Sequence, residues 1–191
     1  MTSRLYVLLL ALLLGACAGQ EAAELRQATM AVGSQATGDG STYVAELARV
    51  EQFLATPARG QVTFRLDQSR NLLHYELSVD NLHSATSSHM HLAQPSAGAR
   101  QDTSGDPHGP VVAFLLNFVP GGISNDGVLA AGTIGPSDLK GPLRGRPLED
   151  LIALIEQGQA YVTVHFLQRT AQNKVFCCPD GLRGVVRPVK L

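Results

Sequence analysis

The sequence predicts an all-β protein: an antiparallel Greek-key β-sandwich with one short inserted α-helix. Three observations predict it. Some seven or eight short segments alternate apolar and polar residues with period two. A single segment repeats its apolar residues at helical spacing. Glycine (19) and proline (10) are frequent enough to supply turns between many short strands. The 191 residues suffice for one domain with a real core and are too few for two comfortable ones.

The N-terminus stands apart from that domain. "MTSRLYVLLLALLLGAC" carries one basic residue, Arg4, then an apolar run from Leu5 to Leu14, then Gly15, Ala16 and Cys17. This is the layout of a secretory signal, too short for a resident spanning helix. Residues 18–41 are small and polar with a Gly-rich end, and read as a tether in which "EAAELRQAT" has the composition of a short helix.

From Thr42 the strand signals begin. "GQVTFRLD" (60–67) sets Val62, Phe64 and Leu66 against Thr63 and Arg65. "LLHYELSVDNL" (72–82) sets Leu73, Tyr75, Leu77 and Val79 against His74, Glu76 and Ser78. "DQSRN" between them is turn chemistry, so the pair reads as a hairpin with one buried face. "TSSHMHLAQP" (86–95) follows as a separate strand, then a polar loop (94–109), then strands at "PVVAFLLNF" (110–118) and "GVLAAGTI" (127–134). "RPLEDLIALIEQG" (146–158) is the helix. Leu148, Leu151, Ile152 and Ile155 make its apolar stripe, Pro147 suits its first turn, Glu149 and Asp150 complement its positive end, and Gly158 suits a left-handed stop. "AYVTVHFLQ" (160–168) and "GLRGVVRPV" (181–189) close the domain as strands.

Composition excludes several function classes. The net charge is −1, without the basic surplus that a nucleic-acid binder needs to displace condensed counterions. Removal of residues 1–16 takes one of the 15 basic residues against 16 acidic ones, which leaves no polybasic patch for membrane lipids. Neither a Gly-rich phosphate loop in strand-to-helix context nor a Ser-His-Asp order is present, so nucleotide chemistry and serine hydrolysis have no carriers.

The histidines carry the chemistry. A strand alternates its side chains between faces, so His89 and His91 point one way and Met90 the other. In "AYVTVHF", Val162, Val164 and Phe166 share the apolar face, and Tyr161, Thr163 and His165 share the opposite one. If the two strands are neighbours, three imidazoles converge, and imidazole nitrogen suits copper and zinc. The competing reading is a set of hydrogen-bonded histidines that hold no metal. His108 in the polar loop is a candidate fourth ligand, with Asp102 and Asp106 nearby. His74 and His83 have no clear partner and no assigned role.

Cys177 and Cys178 are adjacent, and with Cys17 they are the chain's only cysteines. In an oxidising compartment they form a strained, reducible vicinal disulfide, pair with another chain, bind soft Cu(I), or simply occupy a turn before Pro179.

Three resemblances add to this reading. Leu14-Gly15-Ala16-Cys17 resembles a bacterial lipobox, which implies cleavage before Cys17, lipid on its thiol and anchorage in the cell envelope. Ala18 in place of aspartate implies the outer membrane. The other reading is an ordinary secretory signal with an incidental cysteine. "LLHYELSVDNLHSATSSHMHLA", "GPVVAFL", "GVLAAGTIGPSDLKGPLRGRPLEDLIALIEQGQAYVTVHF" and "GLRGVV", in that order, resemble the CHRD domain, named after chordin, from about Thr42 to Val189. That resemblance implies an extracellular β-sandwich acting as a binding module with a protein partner, and no agreed enzymatic activity. More distantly, His-x-His, a long loop, "VTVH" and Gly-x-Arg are similar to Cu/Zn superoxide dismutase, a sandwich of related type. That analogy implies His89, His91 and His165 as copper ligands with Arg183 beside the metal, and a redox enzyme as the alternative function. The loop departs from it, because His108 alone cannot build the zinc site. A purely structural or protein-interaction domain without metal is the third alternative.

Overall fold

The computed structural model describes residues 40–50, 56–93, 109–169, 175–177 and 181–190. The signal, Cys17, the tether, and most of the 94–109 loop with Asp102, Asp106 and His108 lie outside them, as do Cys178 and the side chain of Cys177.

The hairpin forms where alternation and turn chemistry place it. Strand β2 (Arg59–Asp67) pairs antiparallel with the start of β3 (Leu72–Leu92), Asp67 opposite Leu72. The Asp67 carboxylate accepts the Ser69 hydroxyl at 2.7 Å and the Arg70 amide at 3.1 Å, and Asn71 takes the left-handed conformation (φ 54°) that closes the turn. β1 (Thr42–Arg49) adds to the far edge of β2, and Tyr43, Ala45 and Leu47 are buried with Val62 and Phe64.

The sequence suggests that a strand ends near "DNLHSA". Instead β3 runs on for 21 residues, so "TSSHMHL" is its second half and not a separate strand. Asn81 (φ 53°) and Ser84 (φ 56°) bend the strand without ending it. The next strand but one, β5 (Ile123–Ile134), holds both bends: the Asn81 amide donates to the Asp126 carboxylate, and the Ser84 amide to the Ser124 hydroxyl at 3.2 Å. Core residues along β3 therefore step by three, Val79 to Leu82 to Ala85 to Ser88, before alternation resumes at Met90. Each step of three is a bulge that swaps the faces.

This bent strand closes the sheet. Along one edge of β3, β2 pairs residues 72–80 and β6 (Ala160–Arg169) pairs residues 85–92. Along the other edge, β5 pairs residues 73–85, and β4 (Val111–Leu116) pairs residues 88–91. β8 (Leu182–Val185) joins β6 to β1, which completes the ring β1–β2–β3–β6–β8. Among the described residues nine strands form one sheet closing into a small barrel, where the sequence predicts two facing sheets. Among the described residues the all-β class stands, with one α-helix. The expected last strand is divided at Val186 into β8 and the short β9 (Arg187–Pro188), and β7 (Val175–Cys177) adds to β6.

Helix α1 (Leu148–Glu156) buries Leu148, Leu151 and Ile155 in the core that fills the barrel. Pro147 sits at its N-cap, one position earlier than a first-turn proline, and Gly158 (φ 70°) ends it in the left-handed region. The Tyr43 hydroxyl donates to the Glu156 carboxylate at 3.2 Å and ties the helix to β1.

Candidate metal centre

The β3–β6 pairing brings the histidines together. Ser87 lies opposite His165, His89 opposite Thr163, and His91 opposite Tyr161. All six belong to the face away from Met90, Val162 and Val164, which are fully buried in the barrel. The ligand nitrogens of His89, His91 and His165 lie within 4.8 Å of one another. The His89 ring is 5.1 Å from that of His165 and 5.8 Å from that of His91, centroid to centroid.

The surroundings fix one ring in detail. His91 is 6% exposed, and its Nδ1 faces the Gly109 carbonyl at 2.8 Å. A carbonyl only accepts, so Nδ1 carries the proton and the lone pair of the neutral ring is at Nε2. The Gly109 amide donates to the Tyr161 hydroxyl at 2.9 Å, and Tyr161 stacks on His91 with ring centroids 5.1 Å apart and planes 10° apart. The Arg183 guanidinium lies over the Tyr161 ring, 3.9 Å from its centroid. Arg183 thus joins the site at the Tyr161 ring. Gly109 tolerates no side chain, since a Cβ there would fall 1.5 Å from the Leu92 carbonyl oxygen.

His89 is half-buried and meets Phe114 of β4 edge to face at 4.9 Å. Burial first, and then the positive charge of His165 and His91, pulls its pKa from 6.5 down to about 4. Its imidazole is neutral at pH 7, with a lone pair to offer.

The donor set fits a transition-metal ion. Tetrahedral zinc lies about 2.0–2.1 Å from each imidazole nitrogen, which puts the nitrogens about 3.3 Å apart. From a spacing under 4.8 Å, closing the sphere takes about 1.5 Å or less of side-chain movement and leaves the strands in place. Three imidazoles on two hydrogen-bonded strands are held near one another by backbone ladders.

The other candidates stand differently. His108, Cys17, Cys178 and the Cys177 side chain lie outside the described residues. His74 and His83 are exposed and belong elsewhere, His74 with its Nε2 4.0 Å from the Asp67 carboxylate. Sequence reasoning assigned no role to Thr163, Tyr161 or Gly109. Thr163 sits between two of the three histidines, its Oγ1 3.2 Å from both His91 Nε2 and His165 Nε2, and the only sequence signal was its place on the His165 face.

A model of the CHRD domain matches residues 35–172 of the chain. No curated protein matches it.

Proposed function

Because the chain belongs to the CHRD-domain family, matched over residues 35–172 of 191, we propose that it is an exported binding module that holds one copper or zinc ion at His89, His91 and His165. The observation that carries the metal is the meeting of three imidazole nitrogens within 4.8 Å on adjacent strands. His89, with a pKa near 4, has its lone pair free for a metal at neutral pH. Imidazole donors suit both copper and zinc. The N-terminal signal and Cys17 support a lipid anchor in the cell envelope, with the outer membrane as its site and an envelope protein as the partner.

Metal content tests this reading. The exported chain is loaded with Cu or Zn, dialysed and analysed for metal. About one equivalent should be retained, and His89→Ala with His91→Ala, or His165→Ala alone, should lose it while the domain stays folded by circular dichroism. A folded wild-type sample that retains none would leave a scaffold whose histidines are structural. Labelled palmitate taken up by the wild type and refused by Cys17→Ser tests the anchor separately.

The same three imidazoles also serve a redox reading of the superoxide-dismutase kind, which Arg183 at the edge of the site favours. Superoxide turnover by the copper-loaded chain separates it from a module that only binds.

A further inference from the structure

Thr163 is fully buried, and its hydroxyl faces two of the three ligand rings at 3.2 Å each. A hydroxyl has one proton to donate. His91 already spends its own proton on the Gly109 carbonyl, so its Nε2 is bare and takes the Thr163 proton. The hydroxyl then has only a lone pair left for His165, and that contact is attractive only when His165 Nε2 carries hydrogen. The two rings are therefore written in opposite tautomers: His91 protonated at Nδ1, His165 at Nε2.

The consequence concerns metal loading. His91 can offer a metal one lone pair, at Nε2, and this is the one the Thr163 proton occupies. We propose that the Thr163 hydroxyl is a built-in competitor for the ion, which weakens metal binding at the triad and keeps the metal-free site satisfied; the proposal rests on the metal reading above. The opposite possibility is that Thr163 chiefly preorganises the ligands. It is disfavoured because His91 is held from two other sides, by the Gly109 carbonyl and by the Tyr161 ring, and His165 by the β6 ladder. Loss of the hydroxyl leaves the other holds on both rings in place and removes the Thr163 hydrogen bond from His91 Nε2. An ion therefore displaces one buried hydrogen bond fewer in a valine variant of the same shape.

The test compares wild type, Thr163→Val and Thr163→Ser. Zinc titration should show Thr163→Val binding about tenfold more tightly than wild type, the scale of one buried hydrogen bond, with Thr163→Ser close to wild type. Nitrogen-15 NMR of the metal-free chains should find His91 protonated at Nδ1 and His165 at Nε2 in wild type and Thr163→Ser, with the His165 preference lost in Thr163→Val. Unchanged or weaker zinc binding by Thr163→Val overturns the competitor while leaving a metal site in place. Zinc refused by all three chains overturns both the metal reading and the competitor, and the NMR pattern still decides whether the tautomers are as assigned. Zinc taken up by Thr163→Val and refused by wild type supports the proposal in its strongest form.

Discussion

Tyr161 and His91 face each other across the β3–β6 pair as parallel rings, and both are tied to one peptide: Gly109 gives its amide hydrogen to the Tyr161 hydroxyl and takes the Nδ1 proton of His91 on its carbonyl. Strand pairing alone leaves an imidazole free to rotate about two torsions. This closed arrangement removes that freedom and determines which nitrogen points into the triad.

Tyr161→Phe should keep the stacked ring and lose the acceptor for the buried Gly109 amide. The expected cost is about 1–3 kcal/mol, the penalty of an unsatisfied buried donor. Urea denaturation measures it, and hydrogen exchange at Gly109 should speed up selectively. An unchanged midpoint would mean that the amide finds another partner.

Gly109→Ala should be worse, because the added carbon would fall 1.5 Å from the Leu92 carbonyl oxygen. The backbone must move, and it carries the acceptor of His91 with it. We expect several-fold weaker metal retention along with reduced stability. Retention equal to wild type would show that the Gly109 carbonyl does not govern the His91 ring.

Stability should depend on pH through His89. Its pKa is lowered on folding from 6.5 to about 4, so between these values the unfolded chain binds the proton and the folded chain does not. By linkage, metal-free stability rises with pH across that window and is lost as pH falls from 6.5 towards 4, by about 3 kcal/mol as an upper bound. The stability of wild type relative to His89→Ala should fall as the pH falls through this window. Parallel curves would place the proton elsewhere.

The two faces of β3 should respond in opposite ways to substitution. Met90 is fully buried in the barrel, and Met90→Ala should cost about 2–5 kcal/mol through lost burial and the cavity left behind. His89→Ala, one residue away, should cost far less and abolish metal retention. Thermal melts and metal analysis on the two variants check the contrast. A destabilisation of equal size would mean that His89 packs as a core residue.

Local features were legible in the sequence. The hairpin at 60–80 follows from alternation on both sides of "DQSRN", and α1 from its apolar stripe and Gly158. Met90 and Val164, each set between residues of the other face, placed the three histidines on the non-core side of their strands. The continuity of β3 was hidden, because residues such as Asn81 and Ser84 in the left-handed region look like a strand's end until a neighbour is seen to hold them. Asp126 and Ser124, which do so, are about 40 residues away in the chain. Closure through β1–β8 and β3–β6 depends on pairings between distant segments, which no local pattern encodes. Thr163, Tyr161 and Gly109 escaped notice for a chemical reason: a hydroxyl or a carbonyl becomes informative only when its partner is known.

The three bulged steps along β3 make the strand behave like a parity switch. An odd number of face swaps separates Val79, which looks into the barrel, from His89 and His91, which look out of it. Each swap comes with one spare residue, so loss of a residue inside a step of three turns it into an ordinary step of two: swap and residue vanish together, and Met90, His89 and His91 keep their faces. Loss of a residue between Leu73 and Val79, where alternation is strict, has nothing to absorb it and would leave one side of the break on the wrong face. Within this one strand the bulged stretch is therefore where a single-residue deletion is best absorbed, and the regular stretch is where length is most tightly constrained.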